Sequence, residues 1–229
     1  MRAPLLIFIL LGCGSVENNT PIIDAPSTDA PSTDAPTTSP TQDCPTYCTN
    51  IQANCKDTNA QFGGANAADA TAHCTAACAT WTKGMASDMT GATLGCHIYH
   101  AGAPAMTDPV THCPHAGPGG DKVDAAGTCG DACTNFCTIE IGACGLKPAS
   151  ATGQYTDTAA CVSACGAFDK THPYKIDPSV MPFRTPGGDS LACRLYHATN
   201  AAIAGAAAVH CPHTAATPTG PCSGTATTP

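Results

Sequence analysis

The chain has 229 residues, a formal net charge of −8 and only 9 Lys and Arg, so it carries no basic stripe for nucleic acid or for an anionic lipid surface. Leu, Ile, Val and Phe together number 29, about 13% of the chain, below the ~20% at which chains usually fail to bury a core. Burial alone therefore does not hold the fold, and the 17 cysteines are expected to make up the difference as disulfides.

At the N-terminus, Met1-Arg2 places a positive charge ahead of the apolar run Leu5 to Leu11. That run is shorter than the ~20 residues needed to span a bilayer, so it reads as an export signal. It ends in Leu10-Leu11-Gly12-Cys13, which resembles the lipobox of bacterial lipoproteins. The resemblance implies a signal peptide over 1–12, lipidation of Cys13, and attachment through several acyl chains, which anchor where a single chain is marginal. Gly14-Ser15 follow, without the aspartate that retains members of that family at the inner membrane. The implied placement is the outer membrane, facing the periplasm or at the cell surface, with the lipid anchor as the membrane contact.

From Asp24 the chain repeats Asp-Ala-Pro-Ser-Thr, Asp-Ala-Pro-Ser-Thr and Asp-Ala-Pro-Thr-Thr. Regular proline with almost no apolar side chain argues for a disordered, semi-extended tether. Residues 13–43 thus read as the lipidated cysteine and its linker, reaching up to ~90 Å at ~3.1 Å per residue.

Beyond it the chain is duplicated. Cys44, Cys48, Cys55, Cys74, Cys78, Cys96, Cys113 and Cys129 correspond to Cys133, Cys137, Cys144, Cys161, Cys165, Cys193, Cys211 and Cys222. This defines module 1 over 44–129 and module 2 over 130–222, with 223–229 expected to be a disordered tail. No C-x2-C pair occurs, and exported thiolates do not persist, so a disulfide framework is favoured over a metal–thiolate cluster.

The fold expected is mainly α: two tandem disulfide-stapled helical modules of about three helices each. Asp43 and Asp131 are N-cap candidates for the first helices, and Asp157-Thr158 precede a second. Asp189-Ser190 are expected to start a third helix running to about Ala204, with Thr90 in the same role in module 1. Two helices each bearing C-x3-C and packed antiparallel join in crossed order, since positions four apart share a face. The pairs expected are Cys44–Cys78, Cys48–Cys74, Cys133–Cys165 and Cys137–Cys161. Spacing leaves the other four cysteines of each module unpaired, since eight cysteines allow 105 connectivities, and Cys96–Cys113 and Cys193–Cys211 are a guess with no geometric warrant.

Only three histidines recur between the modules: His100, His112 and His115 match His197, His210 and His213. Cys96 with His100, and Cys193 with His197, stand four apart on the third helix, and His-Cys-Pro-His supplies the other two. If these segments meet, three imidazoles converge in each module, a set that suits Zn(II) or Cu(II). Met85 and Met89 are possible softer additions for copper. The first reading of the sequence is nonetheless a non-catalytic envelope module that binds an envelope or surface partner, its histidines being hydrogen-bonded packing residues, with metal binding as the alternative. A metal-dependent enzyme is a third reading, for which no general base stands out. C-x-x-C-H is absent, which excludes covalent haem attachment.

Overall fold

The structure, a computed structural model, describes residues 41–64, 66–179 and 184–229. The signal segment, Cys13 and the proline-rich tether lie outside the described residues. Module 1 holds α1 (Cys44–Asn54), α2 (Ala67–Cys78), α3 (Leu94–Ala101), α4 (Ala103–Thr107) and α5 (Pro109–Ala116). Module 2 holds α6 (Ala132–Cys144), α7 (Thr158–Gly166), α8 (Leu191–Ala201) and α9 (Ala207–His210), followed by 3-10 turns at Cys211–His213 and Gly220–Cys222. No strand ladder forms among the described residues, only isolated bridges. Among them, no helix is long and apolar enough to cross a membrane.

Side-chain caps set the helix starts. Asp43 accepts from the Thr46 amide, Asp131 from Cys133 and Thr134, and Asp157 from Ala160. Each satisfies an amide that the first turn leaves without a helical partner. In module 1 the cap of the third helix is Thr93, which accepts from the Cys96 amide, and not Thr90. Ser190 caps α8, while Asp189 pairs with Arg194. That helix closes at Ala201, three residues earlier than expected.

Eight disulfides staple these short helices. Cys44–Cys78 with Cys48–Cys74, and Cys133–Cys165 with Cys137–Cys161, cross between the first two helices of each module. The remaining pairs are Cys55–Cys113, Cys96–Cys129, Cys144–Cys211 and Cys193–Cys222. The expected Cys96–Cys113 and Cys193–Cys211 bonds are therefore corrected. The third helix does pack on the His-Cys-Pro-His segment, but the cysteine within that segment faces the end of the first helix, and the third helix is tied at its start to the module's last cysteine. In module 1 the chain leaves α1 at Cys55, which has φ −106° and ψ 85°, so this cysteine turns off the helix toward Cys113.

The duplication extends into the core with altered chemistry. Tyr47, fully buried, donates its hydroxyl to the Ala116 carbonyl at 2.6 Å. Its counterpart Phe136 lacks that hydroxyl, and Tyr155, edge-on to Phe136, instead donates to the Thr214 carbonyl at 2.8 Å. Trp81 stacks on His97 at 3.8 Å, whereas the equivalent pair in module 2 is Arg194 over Phe168 at 3.9 Å, a cation–π contact. His97 donates Nδ1–H to the Ala116 carbonyl, and burial holds its pKa down at about 4. It is a neutral packing residue.

One apolar cluster includes Tyr47, Ile51 and Trp81 from module 1 together with Phe136, Ile139 and Leu195 from module 2. α2 packs on α8 across the halves. The Tyr174 hydroxyl donates to the Gln61 carbonyl at 3.0 Å, and Asn135 donates to the Cys129 carbonyl at 2.9 Å at the junction. The tail expected to be disordered is also fixed: Thr227 and Gly187 exchange two backbone hydrogen bonds, and the Asp189 amide donates to Gly224.

Where module 1 has Ile51, module 2 buries Glu140 completely. Thr214 Oγ1 lies 2.7 Å from Glu140 Oε2 and 2.8 Å from the Cys211 carbonyl oxygen. Glu140 thus accepts from the Thr214 hydroxyl, which also has the Cys211 carbonyl within reach. Burial raises its pKa to about 7, against a smaller opposing effect of the Thr214 bond. An unfolded glutamate releases its proton near ~4.3, so the folded state binds more protons between these values. Stability therefore falls as pH rises from about 4.5 through about 7, and Glu140→Gln flattens that slope by on the order of 3 kcal/mol. Urea midpoints at pH 5 and 7.5 test this; the same pH slope in both proteins contradicts it.

Candidate metal centres

Neither triad lies on one element. His100 stands on α3, while His112 and His115 stand one turn apart on α5, and α3 packs on α5. In module 2, His197 stands on α8, His210 at the end of α9 and His213 at the end of the following 3-10 turn. The cysteine between the paired histidines, Cys113 or Cys211, anchors that segment to Cys55 or Cys144 at the end of the first helix. The Cys96–Cys129 and Cys193–Cys222 sulfurs abut His100 and His197. Being disulfides, they wall the site and offer no thiolate.

All six recurring histidines are brought together, three and three. Within each triad, one nitrogen from each ring lies within 4.8 Å of the others. His100 Nδ1 and His112 Nδ1 are 2.9 Å apart, and so are His197 Nδ1 and His210 Nδ1. Two nitrogens at that separation, each ~2.0–2.1 Å from one ion, subtend ~90°, and widening to ~3.4 Å gives the tetrahedral angle. The third ring stands edge-on, with centroids 4.9 Å from His100 to His115 and 4.8 Å from His197 to His213.

Hydrogen bonds on the far nitrogens fix several tautomers. A carbonyl only accepts, so His100 carries its proton on Nε2, which donates to Met89 at 3.0 Å and leaves Nδ1 with the lone pair. His213 donates Nδ1–H to the Thr219 carbonyl at 2.9 Å, which leaves Nε2. His115 Nε2 faces Asp121 Oδ1 at 3.5 Å, and its Nδ1 is buried without a partner. Metal-ligating histidines are held in this way, the second ring nitrogen donating to a carbonyl or carboxylate. Gly220, at φ +61°, keeps room for His213, since a Cβ there would stand 2.7 Å from its Cε1.

The rings are poised to be neutral. Burial first, then neighbouring imidazoles, pushes His197 down to about 3. Burial likewise lowers His100, His115 and His210, with Asp121 opposing the shift at His100 and His115. Neutral imidazole is the ligating form, so no proton has to be displaced from these four rings at neutral pH.

The other histidines take no part as ligands. His97 is stacked in the core, and His172 pairs with Asp169. His73, on α2, stands edge-on to Tyr196 with centroids 6.4 Å apart. The Met85 and Met89 side chains are exposed, and Met89 serves the site through its backbone. Sequence reasoning missed Asp121 and the carbonyls of Met89 and Thr219. The carbonyls leave no signal in a sequence, whereas an aspartate six residues after His115 does.

No family model, curated protein or solved structure matches the chain. Fold and site together define the class: a small disulfide-stapled helical protein whose two halves each gather three imidazoles at one point.

Proposed function

We propose that this protein binds metal in the cell envelope, holding one Zn(II) or Cu(II) ion at each histidine triad. The observation that carries the reading is the convergence of His100, His112 and His115, and of His197, His210 and His213, with one nitrogen of each ring within 4.8 Å of its partners. A hydrogen bond between two packed imidazoles accounts for each short contact, and the third ring nitrogen gathered beside each pair is what favours an ion. The Nδ1–Nδ1 contact of 2.9 Å in both triads is an N–H···N hydrogen bond in the metal-free protein, and an ion binds between the two nitrogens once the donor ring shifts its proton to its far nitrogen. Imidazole is a good ligand for both metals, and with every described cysteine bridged no thiolate competes for the ion. The lipobox-like Leu10-Leu11-Gly12-Cys13 supports attachment to the outer membrane through Cys13, with the proline-rich segment as spacer.

Elemental analysis of the oxidised protein, equilibrated with Zn(II) or Cu(II) and freed of excess, tests this reading. Two ions per chain are expected. A chain that retains neither metal ends it, and returns the histidines to packing and the protein to partner binding.

A further inference from the structure

The two triads match in sequence but not in surroundings, and the difference lies six residues past the last histidine of each. After His115 that residue is Asp121; after His213 it is Thr219. We infer that the two centres are graded: Asp121 makes the His100–His112–His115 centre the tight, retaining one, and the His197–His210–His213 centre the weaker, exchanging one. This inference rests on the metal-binding reading above and adds the order in which the sites fill.

Asp121 is built to hold a fixed orientation. Its Oδ1 accepts from the Lys122 amide at 2.7 Å, and its Oδ2 accepts from the Thr128 amide and hydroxyl, each at 3.1 Å. Its side chain is only 12% exposed, and Oδ1 stands 3.5 Å from His115 Nε2. That contact is long for a hydrogen bond and short for a charge interaction. An ion on the unpartnered His115 Nδ1 makes the Nε2–H more acidic and draws it toward the carboxylate. Carboxylate, imidazole and metal then stand in line, the arrangement that fixes the ring and raises its basicity as a ligand. Lys122 is the opposing charge beside His115, but its amide, not its ammonium, is the group that holds Asp121.

Among the described residues, no equivalent charge stands at the second centre. His213 donates to the neutral Thr219 carbonyl. The groups that act electrostatically on His210 are His213 and His73, the latter reaching in from module 1. His100 has a carbonyl partner behind its ring at Met89, so the first centre gathers two outer acceptors, one of them anionic. Outer partners of this kind are worth ten- to hundredfold in metal affinity.

The test is a competition titration of the metal-free, oxidised full-length protein with Cu(II) against a chromophoric chelator, repeated with Zn(II). Wild type is expected to fill in two steps separated by about tenfold or more. Asp121→Asn, which keeps an oxygen acceptor for the Thr128 amide, weakens the tight step by about ten- to hundredfold and shifts the visible band of the first Cu(II) equivalent. The weaker step stays in place and reports, within the same molecule, that the fold is intact. His197→Ala removes the weaker step and leaves the tight one. Two equal constants in wild type, or an Asp121→Asn protein with both steps and the visible band unchanged, overturn the grading while leaving metal binding intact. Failure to retain any ion overturns the reading beneath it.

Discussion

His100→Ala lowers the retained metal from two ions per chain to one, His197→Ala does the same, and the double substitution retains none. Each histidine is the member of its triad carried by the third helix, and each presents Nδ1 at 2.9 Å from the next ring. Removing it leaves two nitrogens on a short segment, and two neutral donors do not hold an ion tightly against water. The triads use separate rings, so the losses add as independent sites do. His97→Ala serves as the contrast. It removes a buried ring stacked on Trp81 and so lowers stability, yet it touches no ligand and leaves two ions bound once the protein is folded. Elemental analysis alongside thermal melts separates the two effects. Retention of two ions by the double variant would end the assignment of these rings.

Cys55→Ser with Cys113→Ser costs ~4 kcal/mol of stability and abolishes the first metal centre while sparing the second. The bond spans 58 residues, and the chain-entropy relation gives roughly that figure for a loop of this length. The larger consequence is positional. α5 has 8 residues, with Pro114 inside it, and a helix so short does not stand alone in water. The bridge holds it at the end of α1, and with it His112 and His115, two of the three ligands. Cys144–Cys211 does the same for His210 and His213, so the matching double substitution there is expected to empty the other site. Urea unfolding with parallel metal analysis reads both quantities; a destabilised protein that still binds two ions would separate the bridges from the centres.

Much of the fold was legible because cysteine spacing carries geometry. A C-x3-C pair sets both sulfurs on one helical face, and two such helices have few ways to meet, which is why the crossed pairs of Cys44, Cys48, Cys74 and Cys78 follow from spacing. No comparable local rule places Cys55 against Cys113, or Cys96 against Cys129. The first pair depends on which segment lies over the end of α1, and the second on where the module's last cysteine meets the start of α3, both long-range facts. The histidines were legible as a set because they recur, but their ring orientation depends on backbone carbonyls such as those of Met89 and Thr219, and these have no sequence signature. The fixed C-terminal segment was missed for the same reason, since Thr227 is held by its main chain.

The shared core bears on how such a duplicated chain can be cut or recombined. His73 of the first half stands edge-on to Tyr196 of the second, Tyr174 reaches back to Gln61, and Asn135 clasps the segment that joins them. The halves are therefore not interchangeable cassettes. Division near residue 130 would part the apolar cluster that the halves share and bare the faces along which α2 packs on α8. Grafting one triad onto another scaffold would have to bring its neighbour's helices with it.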